Sequence, residues 1–426
     1  MQDIVLDIPY KFVPPARGRF WQRILQPFNA TYLRRMWGIE SIDYRRLSVL
    51  MEALDAGDAV MLVPNHPRPS DPALVANLPS QIGRPLHFMA SWHLFKQGWL
   101  QRQVIRQIGT FSVYREGTDR KSLNMAVELL AEGKRPLAVF GEGAVTRTND
   151  VLHELADGVA FIARAAAKRR EQAGKGRVVV LPMAIKYRFH GDINKAADAV
   201  LSAIEKRISW QPQSNMPVVE RVLKLGDGLL TLKELEYGCQ PRTGEYEQRL
   251  DRLTARILDP LEKEWVGGTS ERSVIARARR LRSAILPDMV ENKVTVEERA
   301  RRWRCLADIY LAQQLSLYPP QYVRDLPTPE RVLETIERFE EDVTDVARVH
   351  RPMQAIIQFG ELIPVQAKRD RNEKSRKSAD KLMQDIHDQM AGMLRELQGE
   401  AGELLPLPEV NAVSSLSPNA PEETQS

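Results

Sequence analysis

An α/β sheet domain flanked by helices, followed by an all-helical C-terminal region, is the architecture this sequence predicts, and three observations carry it. Between Tyr44 and about Arg188, short apolar runs of strand length alternate with segments of helical period, the pattern of strands joined by helices. Beyond Pro241 the short runs stop and long amphipathic periods replace them. The chain has 426 residues, more than one hydrophobic core sustains, so two domains with loose ends are expected. The expected division is a basic, aromatic, amphipathic segment at 1–43, the sheet domain at 44–240, a helical domain at 241–400 and a disordered tail at 401–426.

Residues 11–37 hold Lys11, Arg17, Arg19, Arg23, Arg34 and Arg35 and no acidic side chain. Phe20, Trp21, Ile24, Leu25, Phe28 and Tyr32 recur at spacings of one, three and four, which puts them on one helical face, with a kink expected at Pro27. An aromatic face opposite arginines suits a membrane interface, and it equally suits packing on the core; the spacing leaves both readings open. The strand candidates are Ala59–Val63, Leu86–Ala90, Thr110–Tyr114, Leu137–Phe140 and Val178–Ile185. A helix is expected over Thr118–Glu132, capped by Thr118 or Asp119 and stopped by Gly133. The charged stretch Ala167–Arg177 reads as a helix end and loop.

In the second half, helices are expected at about Glu245–Glu264, Glu271–Leu286, Val296–Leu315, Pro329–Val349 and Lys374–Leu397. Gly267 with Gly268, Pro319 with Pro320, and Pro327 with Pro329 mark turns between them. The last residues, from about Leu405, are rich in Pro, Ser, Glu and Asn and poor in large apolar side chains, so disorder is expected there.

Composition narrows the class. The 2 cysteines, Cys239 and Cys305, are far apart and lack a CxxC or Cys/His cluster, which points away from a disulfide framework or a zinc site and towards a reducing compartment. The start, MQDIVLDIPYKF, lacks the basic and apolar regions of a secretory signal. No run approaches the roughly 20 apolar residues that cross a bilayer. The net charge of +5 permits anionic lipid, acidic cofactors or nucleic acid as partners. A cytoplasmic protein held peripherally on the inner face of a membrane through residues 11–37 fits these features.

The chemistry is expected after the strand AVMLVP, in Asn65-His66-Pro67-Arg68-Pro69-Ser70-Asp71-Pro72. An imidazole titrates near working pH, and a carboxylate on Nδ1–H leaves Nε2 facing a substrate hydroxyl. His66 then reads as a base and Asp71 as its orienter, with Pro67 and Pro69 stiffening the loop. On its own, a histidine and an aspartate five apart are more often structural than catalytic, so context decides. Asn65 and Ser70 are left outside the catalytic set, since Ser70 suits a helix cap.

Three further blocks follow in order. Gly109, Phe111 and Arg115 stand in IGTFSVYREG; Phe140, Glu142 and Gly143 stand in LAVFGEGAVTR; Pro182 stands within the apolar run VVVLPMAIKY. Together with His66 and Asp71, this set resembles the glycerolipid acyltransferase family, which includes the 1-acylglycerol-3-phosphate acyltransferases, over roughly residues 55–190. The one departure is the third block, where the family's arginine position holds Val145 and the nearest arginine is Arg147.

The resemblance implies a mixed sheet flanked by helices. It further implies transfer of a fatty acyl group from acyl-CoA or an acyl carrier protein to a hydroxyl of a lysophospholipid or glycerol-phosphate-type acceptor, with His66 as general base and no other cofactor. Substrate binding then falls to Gly109, Phe111, Arg115, Glu142, Gly143, Arg147 and Pro182, with Arg115 gripping the acceptor phosphate and Pro182 helping to shape the donor site. The displaced Arg147 keeps a non-phosphorylated or amine acceptor open, and a non-catalytic lipid-binding scaffold is the alternative from another class.

His87 and His93 in LHFMASWHLF lack acidic or cysteine partners nearby, so no metal is expected, and Trp92, Phe95 and Trp99 read as lining a core or an acyl channel. The basic runs at Arg277, Arg279, Arg280 and Arg282 and at Arg299, Arg301, Arg302 and Arg304 read as solvated helix faces, with anionic headgroups, an acidic carrier protein or nucleic acid as other partners. Acidic residues are abundant in this half and no recognition motif stands out, so nucleic acid is not expected.

Overall fold

The computed structural model describes residues 5–117, 119–268, 273–318, 321–367 and 381–407. The chain opens with α1 (Phe20–Trp37), which continues through Pro27 and ends at the left-handed Gly38, followed by β1 (Ile39–Arg45), α2 (Leu47–Asp55) and β2 (Ala59–Pro64). Next come α3 (Asp71–Val75), α4 (Pro79–Ile82), β3 (His87–Ser91), α5 (Trp99–Gln107), β4 (Thr110–Val113), α6 (Arg120–Glu132) and β5 (Leu137–Ala138). Then α7 (Gly158–Gln172), β6 (Val178–Phe189), α8 (Ile193–Arg207) and α9 (Val218–Glu236) complete the first half. Helices α10 (Tyr246–Val266), α11 (Val274–Val290), α12 (Val296–Ser316), α13 (Tyr322–Asp325) and α14 (Pro329–Thr344) follow, then β7 (Met353–Phe359), β8 (Ile363–Pro364) and α15 (Lys381–Gln398).

The strands form one mixed sheet in the order β1-β7-β6-β2-β5-β3-β4, with β8 also on β6. Strands β6, β2, β5, β3 and β4 run parallel, while β7 and β8 join β6 antiparallel. Parallel strands need both faces covered. One face packs on α2, α8, α9 and α14, the other on α6, α7 and α15, and a separate core forms among α10, α11 and α12. Local chemistry sets the element ends: at α6, the Asp119 carboxylate accepts from Ser122 N at 3.0 Å and Gly133 turns left-handed, as the sequence predicts.

The mixed sheet flanked by helices and the many helices after it agree with the sequence. The expectation that strands end before residue 241 needs correction. β7 lies between β1 and β6 with Ala355, Ile357 and Phe359 in one core and Ile356 in the other. Its pattern is short, broken by Gln354 and Gln358, and earns its strand form from neighbours distant in sequence. β1 was likewise unpredicted, because its partly exposed residues mix charged and apolar types. The helix expected to reach Val349 ends at Thr344 with Asp345 left-handed. Thr118 as a cap, the Glu271 helix start, the Pro319–Pro320 turn, the Lys374 helix start and most of the expected tail lie outside the described residues.

Pro182 illustrates how the sheet accommodates an imino acid. β6 pairs with β8 at Val179 and Val180 and with β7 from Met183 onward, so Pro182 falls where the partner strand changes. Its carbonyl accepts from Gly360 N at 2.9 Å in the connecting turn, and the N–H it lacks has no strand to serve on that side. Because β7 is buried in the middle of the sheet, Ile357→Ala is expected to lower stability by about 2–5 kcal/mol in chemical denaturation; a loss below about 0.5 kcal/mol would show that β7 contributes little to the sheet.

Candidate active site

At the carboxyl end of β2, Asn65 clamps the chain to β6: its Nδ2 donates to Ile185 O at 3.0 Å and its Oδ1 accepts from Ile185 N at 2.7 Å. The loop from His66 to Ser70 then leads into α3, whose first residue is Asp71. Asp71 is fully buried, which a carboxylate tolerates only with donors around it. It has three: Oδ2 meets His66 Nδ1 at 2.7 Å and Arg68 N at 2.8 Å, and Oδ1 accepts from the Tyr187 hydroxyl at 2.5 Å. Burial and the nearby Asp71 push the Tyr187 phenol well above its ordinary range, so it stays a donor. Ser70 does not cap α3 as expected; its hydroxyl lies 3.0 Å from Tyr187 Oη.

The partner on Nδ1 sets the tautomer, and Nε2 points away from Asp71 with no hydrogen bond to the described residues. The His66 side chain is 14% exposed, and its ring lies against Phe140 with centroids 4.4 Å apart. The imidazole is held on one nitrogen and open on the other.

The loop after β5 is laced to the histidine loop. Glu142 Oε2 accepts from His66 N at 2.5 Å and Oε1 from His153 N at 2.9 Å, while Thr146 N donates to His66 O at 2.9 Å and Arg147 N to Pro67 O at 3.1 Å. Glu142, expected among the substrate-binding residues, is therefore a positioning residue, buried with both oxygens occupied by backbone. Burial pushes its carboxyl up to about 8, opposed by the two backbone donors. Gly143 turns the loop at φ 67°, a conformation that favours glycine. Arg147 is also left-handed, and its guanidinium meets Glu341 at 2.9 Å and Glu337 at 3.5 Å. Engaged by two carboxylates, its guanidinium is not free for the substrate binding expected of it.

The second block leaves one side chain without a partner among the described residues. Gly109 has φ 93°, and a Cβ there would meet Leu86 O at 2.4 Å, so it serves the backbone rather than a ligand. Phe111 is wholly buried in the core and anchors β4. Neither offers the substrate contact expected of it. Arg115, just past β4, is half-buried and has no hydrogen-bond partner among the described residues. Burial lowers its pKa, opposed by the field of Glu116 and reinforced by that of Arg279. His66, Glu142 and Arg115 thus follow the carboxyl ends of β2, β5 and β4, along the sheet edge where open α/β folds bind ligands. Three strand spacings separate β2 from β4, about 14 Å. Pro182 is buried in β6, on the strand beside β2.

One helix braces these loops, and the sequence reading missed it. Along α14, Arg331 pairs with Asp150 at 2.8 Å, Glu334 accepts from Asn149 N at 3.0 Å, Glu337 takes Arg68 at 2.8 Å, Arg338 donates to Thr146 O, and Glu341 takes Arg147. Positions 331, 334, 338 and 341 recur every three or four residues, which puts them on one face. The signal was legible as a regular charge pattern, but nothing local says that such a face is buried.

His87 Nδ1 lies 2.9 Å from Gly109 O, and burial lowers its pKa to about 4; His93 Nδ1 lies 2.8 Å from Ser91 Oγ. Trp92 and Phe95 pack with Val13, whereas Trp99 is 74% exposed and lines no core. Much of the arginine-run chemistry is internal: Arg277 pairs with Asp259 and Glu262, Arg301 with Glu264 and Glu298, and Arg302 with Asp288 and Glu298. These corrections narrow the free cations of α11 and α12. Among the described residues, no group of three or more His, Cys, Asp or Glu side chains is placed to hold a metal ion.

Residues 46–186 match the family model described as Acyltransferase. No curated protein matches the chain. The matched segment contains every residue of the four blocks and ends one position before Tyr187.

Glu142 and Glu334 are both pushed up to about 8, chiefly by burial, from an ordinary 4.5. Between these values the native state keeps protons that the unfolded chain has released, so stability falls as pH rises. The denaturation midpoint is expected to decline from about pH 5 to about pH 8, and Glu142→Gln or Glu334→Gln to flatten that decline; an unchanged slope in both variants would contradict the burial argument.

Proposed function

We propose that this chain, whose residues 46–186 match the Acyltransferase family model, is an acyltransferase that moves a fatty acyl group from a thioester to a hydroxyl of a lysophospholipid or glycerol-phosphate-type acceptor. The thioester is that of coenzyme A or of an acyl carrier protein. One observation carries the reading: His66 is bound through Nδ1 to a buried carboxylate and open at Nε2. In this mechanism Nε2 takes the acceptor's hydroxyl proton as its oxygen attacks the thioester carbonyl. Asp71 stabilises the resulting imidazolium and keeps the ring aimed. Collapse of the tetrahedral intermediate breaks the C–S bond, and the imidazolium returns its proton to the departing thiolate. The unpartnered Arg115 guanidinium along the same edge suits a phosphorylated acceptor, since its planar fork matches phosphate oxygens. Engagement of Arg147 by Glu337 and Glu341 leaves that task to Arg115.

The same proposal places the enzyme peripherally on the cytoplasmic face of a membrane. No helix among the described residues is long and apolar enough to cross one. On α1, however, Phe20 (67% exposed), Trp21, Ile24, Phe28 (66% exposed), Tyr32 and Met36 form an outward stripe at helical spacing, so the aromatic face does not pack on the core. Exposed Arg19, Arg23, Arg34 and Arg35 accompany it, a combination suited to anionic headgroups. The end of α5 lies against the segment before α1, with Ala16 N on Arg106 O at 3.0 Å, and α5 adds exposed Trp99, Leu100 and Val104.

His66→Ala is expected to reduce transfer of labelled acyl groups from acyl-CoA to 1-acylglycerol 3-phosphate by about 10²- to 10⁴-fold while the protein stays folded by circular dichroism at the assay temperature; retained activity would remove the histidine from the mechanism. Phe20→Ser combined with Phe28→Ser is expected to weaken sedimentation with phosphatidylglycerol-containing vesicles by about tenfold or more, and wild-type affinity in this variant would place the membrane contact elsewhere.

A further inference from the structure

The helical region carries arginines that its own acids do not neutralise. Arg279, on α11, is exposed, and its guanidinium has no hydrogen-bond partner among the described residues. One turn on, Arg282 is only 6% exposed; Nη2 donates to Gln313 Oε1 at 2.8 Å, and its buried Nε has no hydrogen-bond partner. The next residue docks this helix on the loop after β4, the Ser283 hydroxyl donating to Glu116 O at 2.8 Å. That loop holds Arg115. Glu116 is itself buried, and its Oε2 lacks a partner.

Arg115 and Arg282 therefore share the field of one buried carboxylate that forms an ion pair with neither, and Arg279 adds a third positive charge beside Arg115, so positive charge is in excess in this partly desolvated corner. Arg115 and Arg282 are each lowered in pKa chiefly by burial, and each lies in the field of a neighbouring arginine as well as of Glu116. Like charges withdrawn from water repel one another, and a dianion removes that penalty. A phosphate monoester carries close to two negative charges near neutral pH and accepts from several guanidinium donors at once.

We propose that the helical region completes the substrate site, with Arg279 and Arg282 of α11 joining Arg115 to bind a substrate phosphate group. This rests on the acyl-transfer reading for which substrate is meant, since both a glycerol-phosphate acceptor and coenzyme A carry a phosphate monoester. Sequence separation hid the convergence: Arg115 and Arg282 are brought together only by the packing of α11 on the β4 loop.

The test uses full-length Arg279→Gln and Arg282→Gln beside Arg304→Gln, which removes an exposed arginine of α12 outside the cluster. KM for 1-acylglycerol 3-phosphate is expected to rise about tenfold or more in Arg282→Gln and several-fold in Arg279→Gln. Little change in kcat or in the KM for acyl-CoA is expected, and Arg304→Gln should resemble wild type. Binding of inorganic phosphate and glycerol 3-phosphate, followed by thermal shift without any donor, is expected to weaken in the same two variants. A rise confined to the acyl-CoA KM keeps the phosphate site and assigns it to the donor. Wild-type KM values and wild-type phosphate binding in Arg279→Gln, whose exposed position spares the fold, overturn the proposal even if Arg282→Gln fails to fold. A protein that transfers no acyl group yet binds phosphate through Arg279 supports this site and sinks the proposed function.

Discussion

A single buried carboxylate organises this molecule's chemistry. Asp71 has no access to water, so its charge is tolerated only while His66, Arg68 N and Tyr187 donate to it. Each donor comes from a different constraint: the end of β2, the turn between two prolines, and the carboxyl-terminal part of β6. The requirement that stabilises the carboxylate therefore also fixes the imidazole, its tautomer and its direction. Stability and chemistry share one set of hydrogen bonds here.

The loops around that carboxylate are held from outside the segment that contains them. Helix α14 places charges against Asp150, Asn149 N, Arg68, Thr146 O and Arg147, and β7 closes the sheet beside β6. Both come from the half of the chain that reads as a separate helical region. Buried ion pairs of this kind contribute little net stability compared with apolar packing, but removing one partner strands the other. They are better understood as fixing one loop arrangement than as adding strength.

The surface divides its tasks by chemistry. Aromatic side chains on α1 and α5 face outward, while unpaired arginines gather where α11 meets the β4 loop. An apolar stripe and a cationic corner on one enzyme suit a substrate with a hydrocarbon tail and a charged head. His66 lies along the same sheet edge as Arg115, three strand spacings away.

The sequence by itself determined what is local. His66 and Asp71 stand five residues apart, so a short loop suffices to join them; the apolar runs of β2 through β6 and the Asp119 and Gly133 ends of α6 depend on neighbouring residues alone. Tertiary structure decided what depends on distant partners. Arg147 reads as a substrate-binding residue until Glu341 reaches it across nearly two hundred positions, and β7 reads as no element until two strands flank it. The periodicity of α1 is the same whether its aromatics face the core or water, since a helical repeat defines a face without saying what covers it. Which face is covered, and which charge meets its counter-charge, is settled by packing among segments far apart in the chain, and that information is not present in any one of them.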